Sequence, residues 1–199
     1  MISNILLIIS ITMVLIPYLL LFISYLSNKE EAKITASEMI NKILKDNSIN
    51  YIEDKNIYFS HYNIKRKMIK LSTKTYYSNK YFSLAIASLL AGYSMINDKA
   101  ITYLSKIINK LKIITIIPII SILLSIFAHT IKDSKIALIL LIIIAIIEYI
   151  IYNLTETAIE KIKIKNNKIN KIINTFTINN KIFFIATLIQ ILRIAIIII

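Results

Sequence analysis

The side chains that could ligate a metal, activate water or attack a carbonyl are few in this chain and far apart. His61 and His129 are the only two imidazoles and cysteine is absent. That removes disulfides, thiolate nucleophiles and thiolate metal sites together, and leaves the redox compartment open. His61 stands in a polar stretch and His129 at the end of an apolar run, so the topology below puts a bilayer between them and they share no ion. Glu148 and Arg193 each lie inside an apolar run, with Gln190 three residues before Arg193 and so on the same helix face. Ionisable groups in such runs pair with a partner, face a cavity or snorkel to the interface. Gly92 is the only glycine in 199 residues, so no glycine-rich phosphate loop can be built, and no Ser/His/Asp set is legible.

The elements that must position these groups are mostly membrane spans. Hydrophobic residues make up 57% of the chain, while 24 Lys+Arg against 11 Asp+Glu give a formal charge of +13. Apolar runs with basic flanks mark a membrane protein. A nucleic-acid binder would carry the charge without the apolar runs, so nucleic acid is not an expected partner; membrane lipids are, with anionic headgroups at the basic loops. Residues 5–26 carry no charge and exceed the ~20 residues a helix needs to span hydrocarbon. With no basic n-region and no small-residue cleavage site the run reads as an anchor, not a removed signal peptide. Pro17 within it is a kink that bilayer helices tolerate.

Further spans are predicted at residues 113–131, 136–154 and 182–199. The Lys/Arg excess falls in residues 27–112 and, after span three, at Lys161, Lys163, Lys165, Lys168, Lys171 and Lys181. An even number of crossings separates the two basic loops, which places both on one side, cytoplasmic by the positive-inside rule, with both termini outside. The chain divides into a membrane anchor (1–26), a cytoplasmic region (27–112) and a three-span region (113–199) with a basic cytoplasmic segment at 155–181.

Within the cytoplasmic region Thr35 and Glu38 have the spacing of a capping box, followed by the apolar stripe Met39, Ile40, Ile43 and Leu44. Residues 57–72, "IYFSHYNIKRKMIKLS", read as a hairpin around the polar break 63–67. Residues 81–98, "YFSLAIASLLAGYSMIND", hold about 15 apolar or small residues, the length of a half-buried or interfacial helix rather than a span. Residues 99–112 have the pattern of a helix lying on the membrane surface, and 155–176 a weaker version of it. The expected fold is therefore an all-α membrane protein of about four transmembrane helices, with a small cytoplasmic α+β layer made of the capped helix, the short β-hairpin and the half-buried helix.

In this order the segments resemble the bacterial membrane-anchored neutral zinc metallopeptidases, the YugP-like family. The resemblance rests on the anchor, "ITASEMINKILKDNSI" as the capped helix, "HYNIKRKMIKLS" as the hairpin, "NLTETAI" after span three and "IQILRI" in the last span. It implies that the helix after the hairpin is the one that carries His-Glu-x-Gly-His. Aligned through its glycine, that motif falls on Leu89, Leu90, Ala91, Gly92 and Tyr93. The chemistry needs two imidazoles a helical turn apart to hold Zn2+, and the glutamate between them as general base toward the bound water. Leucine has no lone pair and tyrosine substitutes poorly for imidazole. The third ligand of the family, a carboxylate, falls on Ile151; a shifted alignment would put it on Glu148, one turn earlier on nearly the same face. His61 belongs to the family-like "HY" pair, and Arg193 matches an arginine of the last span, implying a contact inside the bundle with Glu148 as a candidate partner.

The resemblance so implies a degenerate, non-catalytic member without a cofactor, a multi-pass protein of the bacterial plasma membrane that binds membrane proteins or peptides in the old substrate groove. Gly92 is then a relic of close packing. Two alternatives stay open: an active zinc peptidase working through Glu148, His61 or a partner subunit, and a small transport or channel component using Glu148 and Arg193.

Overall fold

A computed structural model describes residues 2–27, 30–45, 49–58, 60–63, 66–96, 117–128, 134–162 and 164–198. The chain is mostly helical with one three-stranded sheet. In chain order the elements are α1 (Ile2–Ser27), α2 (Ala36–Leu44), β1 (Asn50–Asp54), β2 (His61–Asn63), β3 (Met68–Ser72), α3 (Thr73–Tyr76), α4 (Tyr81–Ser94), α5 (Ile117–Phe127), α6 (Ser134–Lys161) and α7 (Asn167–Ile198). Three of these, α1, α6 and α7, are long and apolar enough to cross a membrane. Between residues 113 and 131 the described helix is the 11-residue α5. The expected surface helix at 99–112 and His129 lie outside the described residues.

The chain forms two compact units. One comprises Met1–Leu20, Lys112–Tyr152 and Ile178–Ile199; the other comprises Leu21–Leu111 and Asn153–Thr177. In this partition α1, α6 and α7 each contribute to both units, and residues 153–177 belong to the sheet-bearing one.

In the sheet-bearing unit the capping box at the start of α2 is present: the Glu38 amide donates to Thr35 Oγ1 (3.3 Å) and the Thr35 amide to Glu38 Oε2 (2.9 Å). These bonds satisfy two amides that a helix start leaves without partners. The hairpin is present too, His61–Asn63 pairing antiparallel with Met68–Ser72, and Lys67 takes a positive φ of 46° in its turn. The sheet has a third strand that the pattern analysis did not anticipate. β1 pairs in parallel with β3, giving the order β1-β3-β2. The central strand buries alternate residues, Ile69 and Leu71, as a strand with one face on a core must. They join Ala36, Ile40, Leu44, Ala87, Leu90 and Ala91 in one cluster, so that α2 and α4 cover the sheet. A second cluster sets Met39, Leu84, Ala85 and Leu89 against Ile169, Ile172 and Ile173 of α7.

The third span and the first residues of the segment after it, to Lys161, form one continuous 28-residue helix, α6, and the rest of that segment from Asn167 opens α7. The chain breaks only at the turn before α7, where Asn166 Oδ1 accepts the amides of Lys168 (2.9 Å) and Ile169 (3.3 Å) as an N-cap. Lys168 then pairs with Glu30 and lies 5.2 Å over the Tyr81 ring.

In the helical unit Val14, Phe183 and Ala186 form one core cluster and Ala128, Ala137, Leu141 and Ile194 another. Both rest on the i, i+3, i+4 face of α7.

Candidate functional site

The residues of interest on α4 follow from its crowding. Its 14 residues carry Leu84, Ala85, Ala87, Ser88, Leu89, Leu90, Ala91, Gly92 and Ser94 buried. The hydroxyls of Ser88 and Ser94 are consumed locally, donating to the carbonyls of Leu84 (2.8 Å) and Ala91 (2.7 Å). Leu90 and Ala91 face the sheet cluster, and Leu89 the α7 isoleucine cluster.

Gly92 is needed for space, not for its backbone angle, since no glycine in the described chain has positive φ. A Cβ on Gly92 would lie 2.5 Å from the Ala158 carbonyl oxygen and 2.6 and 2.9 Å from Cδ1 and Cγ1 of Ile162. The last turn of α6 and the turn after it therefore press directly on the α4 backbone.

One residue further on, the Tyr93 phenol shares a hydrogen bond of 2.8 Å with Thr155 Oγ1 of α6. Burial pushes the Tyr93 phenol above its ordinary pKa and the Thr155 bond pulls it the other way, with burial the larger effect, so the group is a neutral partner of Thr155 near neutral pH. The sequence reading did not find Thr155 as this partner. The signal for it was a tyrosine in an otherwise apolar short helix, whose hydroxyl must find a partner when buried.

The sequence model of a family described as "Putative neutral zinc metallopeptidase" covers residues 1–161. The chain belongs to this family. No curated protein and no solved structure matches it. The match ends at the C-terminus of α6, so Arg193 and the rest of α7 lie beyond it.

Membership implies zinc, and the residues on α4 do not fit it. At the two positions to which alignment through Gly92 assigns imidazoles, the chain has a leucine packed among Met39, Ile169, Ile172 and Ile173 and a tyrosine whose oxygen is engaged by Thr155. The position that the same alignment assigns to the general base holds Leu90, in one core cluster with Ile69 and Leu71. Leu89 and Leu90 are packed in hydrocarbon and offer no donor atom to a metal. Among the described residues no three His, Cys, Asp or Glu side chains gather.

The other candidates are dispersed. His61 opens β2 opposite Lys70, beside the Lys70–Asp54 ion pair (2.7 Å) that ties β3 to β1. Ile151 is buried on α6 in the helical unit, and Glu148 lies three residues before it, 4% exposed. Arg193, 1% exposed, donates to the carbonyl and hydroxyl of Ser125 (2.8 Å to Oγ) and to the Ser3 carbonyl (3.1 Å). It makes no ion pair with Glu148.

Proposed function

We propose that this member of the zinc metallopeptidase family is a non-catalytic integral membrane protein that binds membrane proteins or peptides. The observation that carries the reading is the content of α4: Leu89 and Leu90 in hydrocarbon, Gly92 against the Ala158 carbonyl and Tyr93 bonded to Thr155. Removing one outer partner of a metal ligand already weakens metal binding or activity ~10 to 100-fold. Replacing both imidazoles and the base removes the water-activating chemistry altogether.

In this reading the apolar run around α5 completes a fourth span, the basic segments face the cytoplasm and anionic lipid, and the membrane is the bacterial plasma membrane. The three long apolar helices support a membrane location; the sidedness rests on the lysines. The test is metal analysis of the detergent-purified chain with a peptidase assay on an unfolded substrate. The expected result is no stoichiometric zinc and no cleavage. Stoichiometric zinc that disappears in Glu148→Ala would instead establish an active enzyme with a non-standard site.

A further inference from the structure

The second core cluster of the sheet-bearing unit has an aromatic rim. Tyr81, Phe82 and Phe176 pack half-buried against Leu84, Leu89 and the α7 isoleucines. Phe82 meets Tyr25 edge-on, with 5.4 Å between ring centroids, and Phe176 at 5.8 Å, so rings from α1, α4 and α7 form one row. Tyr25 is 45% exposed. Beside the row the Lys168 ammonium lies over the Tyr81 ring and pairs with Glu30, and Lys80, Lys165 and Lys171 are exposed. Aromatic rings with basic neighbours are what the boundary between hydrocarbon and headgroups selects.

The level of the row along two of the long apolar helices decides what it meets. On α1, ~35 Å of helix separates Ile2 from Tyr25, with no charged residue between them. On α7, ~33 Å separates Phe176 from Ile198. One distance is counted from the start of a helix and the other toward the end of one, yet they agree. Measured from those far ends, hydrocarbon ~30 Å thick ends about 3–5 Å short of the rings, which leaves them in the headgroup layer, ~5–7 Å deep on each side. Charge bounds the level on α7 as well. Residues 182–192 carry none, and the exposed Lys181 precedes them; an ammonium there must reach back to the interface, so Phe176, more than a turn before it, lies no deeper than the boundary.

We propose that Tyr25, Tyr81, Phe82 and Phe176 dock the sheet-bearing unit in the headgroup layer of the bilayer that α1 and α7 cross. The partner is phospholipid: the rings take the level of the glycerol and ester groups, and Lys168 and its basic neighbours that of the phosphates. The start of α4 is then part of the membrane surface rather than of the aqueous face. This placement depends on the membrane location and not on whether α4 holds a metal.

The chain has no tryptophan, so a single introduced indole reports its own depth, and indole is itself favoured at this boundary. The full-length variants Tyr25→Trp, Phe82→Trp and Phe176→Trp are placed in vesicles of phosphatidylcholine and phosphatidylglycerol brominated at known acyl depths. Ile146→Trp, at a 55% exposed position of α6, is the hydrocarbon reference, and Tyr58→Trp, at a 94% exposed position, the aqueous one. In all three ring variants the shallowest bromines should quench about twofold or more better than the deepest, placing the indole about 15–20 Å from the bilayer midplane. Ile146→Trp should show the reverse order, and Tyr58→Trp should respond only to aqueous acrylamide. Tyr25→Trp, at the most exposed position of the row, keeps the measurement valid where exchange of a packed phenylalanine costs helical circular dichroism. Quenching of the folded ring variants by acrylamide alone, chiefly by the deepest bromines, or by neither agent would overturn the proposal.

Discussion

Gly92→Ala adds one methyl group and tests the central packing claim directly. In a helix interior alanine is favoured over glycine by about 1 kcal/mol, so without a neighbour the substitution would stabilise α4. The added Cβ would stand 2.5 Å from the Ala158 carbonyl oxygen, where ordinary carbon–oxygen contact begins near ~3.4 Å. Relief requires the end of α6 to move away by roughly 0.9 Å. Ile162 Cδ1, at 2.6 Å, belongs to a side chain and can rotate; the carbonyl belongs to the backbone and cannot. Overpacking of this kind costs about 1–3 kcal/mol, occasionally more, and a backbone obstacle puts the value at the upper end. The net expectation is destabilisation by about 2 kcal/mol, roughly a 30-fold loss in the folded-to-unfolded ratio.

The chain has no tryptophan and no cysteine, so the measurement is far-ultraviolet circular dichroism against temperature or denaturant in detergent, not indole fluorescence or thiol labelling. Ile162→Val removes Cδ1 alone. Combined with Gly92→Ala it should recover part of the loss, leaving the carbonyl clash in place. A Gly92→Ala protein as stable as the parent, or more so, would refute the close approach of α4 to α6.

Four further outcomes follow from the same contacts. Tyr93→Phe and Thr155→Val each lose the 2.8 Å bond between α4 and α6, costing about 1 kcal/mol apiece, and the double variant should cost less than their sum by the same assay. Thr35→Ala removes the capping hydroxyl of α2 and should cost about 1 kcal/mol, whereas Ser37→Ala, inside the helix, should cost less. The carboxylates of β1 titrate below their ordinary values, Glu53 chiefly through the hydroxyls of Thr73 and Tyr77 and Asp54 chiefly through the Lys70 ammonium. A depressed folded-state pKa gives stability that is complete above the ordinary carboxylate range and lost as pH falls through the folded value. The protection of β1 and β3 amides against exchange, relative to the intrinsic rate at each pH, should therefore fall below about pH 4 and stay constant from there to neutrality. In the proposed non-catalytic reading, exhaustive chelation should leave the melting curve of the protein unmoved, because Leu89 and Leu90 offer a metal no donor.

The features legible in the sequence were those with a local cause. The Thr35/Glu38 pair and the apolar stripe behind it, the turn between Asn63 and Met68 and the long uncharged runs each depend on residues close in the chain. β1 was missed because its sequence, "NYIED", has no period-2 run of β-branched residues. It is a strand because β3 offers it a partner and because Lys70 meets Asp54 across the pairing, both of which are long-range facts. The role of Gly92 was half legible. A lone glycine in a helix signals close approach, but its neighbours, Ala158 and Ile162, stand beyond an intervening stretch that contains two predicted spans. The Arg193 environment was missed for the same reason: Ser3 and Ser125 are common residues that acquire meaning only when α1, α5 and α7 meet.

In the non-catalytic reading proposed above, the same contacts explain how a member of this family stands without a metal. A structural zinc site contributes about 10–16 kcal/mol of apparent binding energy in small domains, far more than the single Tyr93–Thr155 bond supplies. Burying two leucines contributes about 1.5–3 kcal/mol each, and in that reading no imidazole or carboxylate has to be desolvated there. Exchanging buried polar groups for well-packed hydrocarbon is often neutral or stabilising. The compensation is therefore spread over Leu89, Leu90 and the isoleucines of α7, while Gly92 and Tyr93 set the distance and register at which α4 meets α6. Restoring histidine at 89 and 93 alone would place two polar rings in hydrocarbon without a third ligand beside them, and such a variant should lose stability before it gains a metal.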